Sequence, residues 1–174
     1  IEPLLAFVRD HQSWAGPLVA IIAFAESLAF FSAFVPGWGV LVGVGALVSA
    51  GGLSFWPVYV GAVIGATLGD WLSYAVGYYF KDRVHHWWPF SKNPGMLAKA
   101  EDVFNRWGAM GVFIGRFSGP LRATVPLAAG VFEMPQVKFQ VANVASALVW
   151  AAVLIYGGAT GLEAFKSARA AMGW

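Results

Sequence analysis

The sequence predicts an all-α integral membrane protein, and three observations carry that reading. The 174 residues are 59% hydrophobic and only 11% charged, where an ordinary water-soluble domain carries about 25% charged residues. Their mean hydropathy is +0.65, and the apolar residues gather in runs long enough to be buried in lipid. Inside those runs stand a few ionisable side chains, which are functional by default in a membrane. The length suits one membrane domain over residues 1–174. With no cysteine, disulfides and thiolate metal sites are excluded. The net charge of +2 is small and dispersed, so nucleic acid is not an expected partner.

Taken in order, residues 1–17, with Glu2, Arg9, Asp10 and Trp14, suit a short interfacial helix beside the headgroups. An apolar run from Leu18 to Val35 carries Glu26, breaks at Pro36 and Gly37, and resumes from Val40 to Ala50. Gly51, Gly52 and Pro57 mark a turn into a second run, Val58 to Phe80, which contains Asp70 and is long enough to span a core of about 30 Å. Residues 81–109 form a polar connector. In its second half Leu97, Ala100, Val103, Phe104 and Trp107 recur at helical spacing, which predicts an amphipathic surface helix.

The next apolar stretch, Met110 to Val131, is broken at Gly119 and Pro120 and again at Pro126. Its two arms are nine and eleven residues, against roughly 17 to 25 for a spanning helix. A re-entrant hairpin fits better. Phe139 to Gly157 reads as a second span, followed by an amphipathic tail within 159–174.

Two repeats emerge, about 18–80 and 110–158. Glu26 precedes Pro36 by ten residues, as Arg116 precedes Pro126. A hairpin plus one span crosses the membrane an odd number of times, so the second copy must be inverted, an arrangement common in transporters. Five basic residues in the connector place it on the cytoplasmic side.

Arg116 and Arg122 are the candidate phosphate ligands, because a guanidinium is always charged and its planar fork matches phosphate oxygens. Six residues apart, they would face different ways on a straight helix, rotated by about 240°. The Gly119-Pro120 break is what could aim both at one cavity. Ser118 could bond a phosphate oxygen, or satisfy a carbonyl freed by the break. Glu26 and Asp70 would each cost on the order of 3 kcal/mol if charged and unpaired at the bilayer centre. They are therefore expected to balance the arginines or to carry protons, and a fixed salt bridge is the competing reading. Asn143 is expected to bond another helix and support the site from behind. Gly37, Gly39, Gly43 and Gly45 are explained by close helix packing. His85 and His86, beside Trp87 and Trp88, read as an interfacial patch, so neither a metal nor a cofactor is expected.

Several ordered motifs together resemble the DedA family of bacterial membrane proteins, related to the VTT or SNARE-associated domain. They are Glu26 ahead of Pro36-Gly37; Gly65-Ala66 and Gly69-Asp70 followed by Tyr74 and Gly77; Arg116-Phe117, Pro120 and Arg122; Pro126 with Ala129-Gly130; and Asn143 with Trp150. The resemblance covers about Glu26 to Gly161 and departs at Trp38, where the family often has a second acid. It implies a multi-pass protein of the bacterial inner membrane. It also implies lipid transport: recycling of polyprenyl phosphate, or movement of other phospholipids between leaflets, with proton coupling. A lipid-phosphate hydrolase and a non-catalytic scaffold are the alternatives. The first lacks a suitably spaced nucleophile or metal motif, and the second leaves four membrane-embedded charges unexplained. No enzymatic activity is expected, and a single chain and a homo-oligomer both fit.

Overall fold

A computed structural model describes residues 10, 12–28, 37–50, 52–87, 90–118 and 122–171. A short 3-10 turn, Gln12–Trp14, leads into α1 (Ala15–Ser27), α2 (Gly37–Ser49) and the long α3 (Phe55–Val84). The connector then gives α4 (Gly95–Trp107) and is followed by α5 (Ala109–Gly115), α6 (Thr124–Val131) and α7 (Gln136–Ala171). No strand occurs among the described residues, in keeping with the all-α class.

The chain is small inside and greasy outside. On α3 the buried line is Gly61, Ala62, Gly65, Ala66, Gly69, Asp70, Ser73 and Gly77, while Val60, Ile64, Leu68, Trp71 and Leu72 are exposed. On α7, Val137, Val141, Val149, Val153 and Tyr156 are exposed as well. Helices in lipid gain little by hiding large apolar side chains, so small residues take the seams and let backbones approach. A side chain at Gly77 would collide with the Leu127 carbonyl of α6, and one at Gly130 with the Tyr74 carbonyl of α3.

Helix pairing follows one rule in both halves. α1 packs along α3 and α5 along α7, each on the long helix of its own half. α2 crosses to α7 and α6 crosses to α3, each on the long helix of the other half, and α3 and α7 meet each other. An apolar groove runs beside α1 and another beside α5. One takes Trp56, Pro57, Val60, Gly61 and Ile64 from α3; the other takes Val137, Lys138, Val141, Ala142 and Ala145 from α7, at one constant offset along the sequence.

Several expectations are corrected or refined. Pro126 is not a break: it sits in the first turn of α6, where the missing N–H has no helical partner to lose. Gly37 opens α2. The other assigned breaks, Pro36, Gly119 and Pro120, lie outside the described residues, as does most of the expected interfacial segment 1–17. The first arm ends at Ser27, just past Glu26. The tail is no separate helix, because α7 runs unbroken through Gly157, Gly158 and Gly161. A helical Gly costs about 1 kcal/mol, and Gly158 faces the Val42 carbonyl of α2 at a seam that admits no side chain.

Within α7, Gln136–Ala164 has both the length and the hydropathy to cross a membrane. α3 has the length, at 30 residues, but Asp70, Ser73 and its tyrosines make it more polar. It departs from helical geometry at Lys81 (φ 21°), directly after the expected end of the span. The connector helix α4 has its predicted place, burying Leu97 and Ala100 against Val84, Phe90 and Leu127.

Candidate functional site

Four charged side chains converge where α1, α3, α5, α6 and α7 meet. Glu26 stands in the last turn of α1, and Asp70 lies midway along α3. Arg116 immediately follows α5, and Arg122 lies just ahead of α6. Glu26, Asp70 and Arg116 are each 4% exposed, and the Arg122 side chain is 12% exposed.

Arg116 donates through Nη2 to Asp70 Oδ2, and Arg122 donates through Nη1 to Glu26 Oε1. Charges taken out of water need partners of this kind, because an isolated buried ion costs several kcal/mol. The pairs are not isolated from each other. Both guanidinium groups lie over the Trp150 ring, with the Cζ of Arg122 4.3 Å and that of Arg116 5.8 Å from its centroid. The indole face is the negative end of its quadrupole, so it attracts both cations. The packing has thus brought together two arginines that a straight helix would separate.

Asn143 is the hub of the polar support. It is fully buried, and its Oδ1 accepts from Arg116 Nη2 at 2.6 Å. Its Nδ2 donates to the Thr67 carbonyl at 3.1 Å and to Gln140 Oε1 at 3.3 Å. One amide therefore ties α7 to α3 and to the first arginine. Asn143 bonds another helix as expected, but it also touches the cluster directly. Ser73 Oγ donates to the Ser27 carbonyl at 3.2 Å, fastening the end of α1 beside Asp70.

Ser118 does not join this network among the described residues. Its hydroxyl donates to the Ile114 carbonyl at 3.0 Å, the second of the two readings its position allowed. His85 and His86 are exposed in the connector, and no group of metal-ligating side chains is found among the described residues.

The guanidinium groups keep donors in reserve. Arg116 Nε and Nη1, and Arg122 Nε and Nη2, are buried with no hydrogen-bond partner among the described residues. Buried donors are almost always satisfied. A cluster of anionic oxygens is the chemistry that would satisfy four such N–H-bearing nitrogens.

Sequence reasoning assigned Trp150 no role. Its signal was present: it lies two helical turns beyond Asn143 on α7, on the same face. Thr67, Ser73 and Gln140 carried no such signal.

Comparison with known proteins finds membrane proteins among the relatives of this chain. Residues 35–160 match the family model described as the VTT domain. The chain is 38% identical over 144 residues to the inner membrane protein YabI of Escherichia coli, covering 83% of this chain and 57% of that protein. It is 40% identical over 146 residues to an uncharacterized membrane protein of Mycobacterium tuberculosis, covering 80% and 64%. It is 30% identical over 165 residues to the inner membrane protein YghB of Escherichia coli, covering 88% and 75%. The chain thus spans less than two thirds of the length of the first two relatives. No solved structure matches it.

Proposed function

This chain belongs to the DedA family of VTT-domain membrane proteins, and on that premise we propose that it carries a phosphate-bearing lipid between leaflets. The substrate we assign is a polyprenyl phosphate such as undecaprenyl phosphate, moved across the bacterial inner membrane with proton coupling. The observation that carries this reading is the set of buried guanidinium nitrogens on Arg116 and Arg122 that lack an acceptor among the described residues while both cations face Trp150. A phosphate monoester offers several oxygens and up to two negative charges, which suits two converging forks.

Glu26 and Asp70 neutralise the arginines when no lipid is bound. An arriving phosphate competes with them, and a carboxylate released from its arginine in a dry site takes up a proton, because burial disfavours its charged form. We further propose that the exchange-symmetric helix pairing reflects two inverted repeats, each a re-entrant hairpin (α1 with α2, α5 with α6) plus a spanning helix. The apolar grooves beside α1 and α5 then lie at the lipid surface, where isoprenoid tails can run. The protein in this reading performs no bond-breaking chemistry.

The test is leaflet translocation of polyprenyl phosphate in liposomes, with Arg116→Lys and Arg122→Lys. These variants keep both charges and lose the planar fork. Transport is expected to fall at least about tenfold, in line with the loss of one or more charge-assisted hydrogen bonds, while thermal stability changes little. Full transport by both variants would sink the clamp. Phosphate release from polyprenyl pyrophosphate by the purified protein would instead favour a hydrolase.

A further inference from the structure

A second cluster, of opposite preference, lies toward the C-terminal end of α3. A groove of about 630 Å³ opens between α3 and the α6–α7 turn, walled by Trp71, Tyr74, Tyr78 and Tyr79, with Glu133 as its acid. The Tyr74 wall is fixed. Tyr74 donates its hydroxyl proton to the Met134 carbonyl at 2.6 Å and stacks on Phe139 at 4.5 Å between centroids. Tyr78 lies parallel to Tyr74, and Tyr79 stands at 90° to Tyr78.

Two residues of the groove, Tyr78 and Glu133, already engage an ammonium group of the chain. Lys81 Nζ lies 5.1 Å from the centroid of the Tyr78 ring and donates to Glu133 Oε1. The hydrogen bond it donates to Glu133, and the charge of that carboxylate, hold the lysine above its usual range, so it remains a cation. The backbone is bent at both partners. Lys81 (φ 21°) and Glu133 (φ 54°) are the two non-glycine residues with positive φ among the described residues, and they pair with each other. Glu133 takes the left-handed cap that ends α6, its N–H donating to the Gly130 carbonyl at 3.0 Å and the Met134 N–H to the Ala129 carbonyl at 2.9 Å, so the helix end itself presents the carboxylate to Lys81. An interfacial aromatic belt would explain Tyr79 and Phe80, but it requires neither the carboxylate nor the bent turn that presents it.

We infer that this groove is an alkylammonium site, taking a small organic cation or the ammonium end of a zwitterionic lipid headgroup against Tyr78 and Glu133, where Lys81 now sits. Aromatic faces combined with a carboxylate are the general solution for such cations. The inference is independent of the phosphate reading, because no residue of the arginine cluster lines the groove.

The experiment uses the full chain in phosphatidylglycerol nanodiscs, titrated calorimetrically with tetramethylammonium chloride against sodium chloride at equal ionic strength. Wild type is expected to bind weakly, because its own lysine competes. Lys81→Gln is expected to bind about fivefold more tightly or better, and adding Glu133→Gln or Tyr78→Leu is expected to abolish the gain. Lys81→Gly removes the ammonium and suits the positive φ, giving a second route if the glutamine variant does not fold. Replacing half the lipid with phosphatidylethanolamine identifies the source: weakened tetramethylammonium binding assigns the site to the headgroup, and unchanged binding assigns it to a soluble amine. Absence of saturable binding in folded Lys81→Gln or Lys81→Gly protein overturns the inference. Binding that is indifferent to Glu133 and Tyr78 overturns it equally.

Discussion

In the first half of the chain α1 packs on α3 and α2 crosses to α7; in the second half α5 packs on α7 and α6 crosses to α3. The pairings match, but the charges do not. At the end of its first arm the first half presents Glu26, and the second half presents Arg116. Asp70 also belongs to the first half and Arg122 to the second. Each ion pair of the cluster therefore joins one half to the other. The Lys81–Glu133 pair at the aromatic groove crosses in the same sense, with its signs exchanged. The lesson is mechanical: the halves cannot separate around the cluster without parting opposite charges in a buried site. Any motion that opens it must bring a replacement anion, a proton or water.

The largest break in this comparison should come from leaving one charge alone. Asp70→Ala leaves Arg116 uncompensated and is expected to cost about 3–5 kcal/mol, read as a fall in the thermal midpoint in detergent. The charge swap Asp70→Arg with Arg116→Asp should recover part of that loss if the pair bridges the halves. Next come the seams. Gly77→Val on α3 and Gly158→Val on α7 each drive a side chain into a backbone carbonyl of the crossing arm, at an expected cost of about 1–3 kcal/mol or more. Similar costs at the two sites would strengthen the equivalence of the halves, and a large inequality would break it.

Asn143→Ala should destabilise by about 1–3 kcal/mol, because it strips hydrogen bonds from a fully buried network. The same change should weaken transport by letting Arg116 drift from Trp150. Ser118→Ala should change stability by no more than about 0.5 kcal/mol and leave translocation intact, since its hydroxyl serves its own helical turn. A strong transport defect there would return Ser118 to the phosphate site.

Much of this was readable from residues alone. The α4 helix followed from the spacing of Leu97, Ala100 and Phe104, and the turn into α3 followed from Gly52 and Pro57. Both are local signals. The end of α1 at Ser27, the helical place of Pro126 and the continuity of α7 past Gly158 were not readable. Pro126 loses no bond in a first helical turn and Gly158 sits at a seam that admits no side chain, so the punctuation that Pro and Gly supply in a sequence misled at both. Glu26, Asp70, Arg116 and Arg122 stood out because charge inside an apolar run is costly wherever the chain goes. Trp150 did not stand out, because an aromatic residue in an apolar helix is ordinary until a cation is found on its face.

The sequence by itself determined that this is a helical membrane protein and which charges stand inside its apolar runs. These are properties of composition and short-range periodicity, and they hold in any packing. Only the tertiary structure decided that Arg116 takes Asp70, that Arg122 takes Glu26, and that both cations meet over one indole. Those partners lie far apart in the chain, and their meeting depends on helix crossings at glycine seams, which no local pattern encodes.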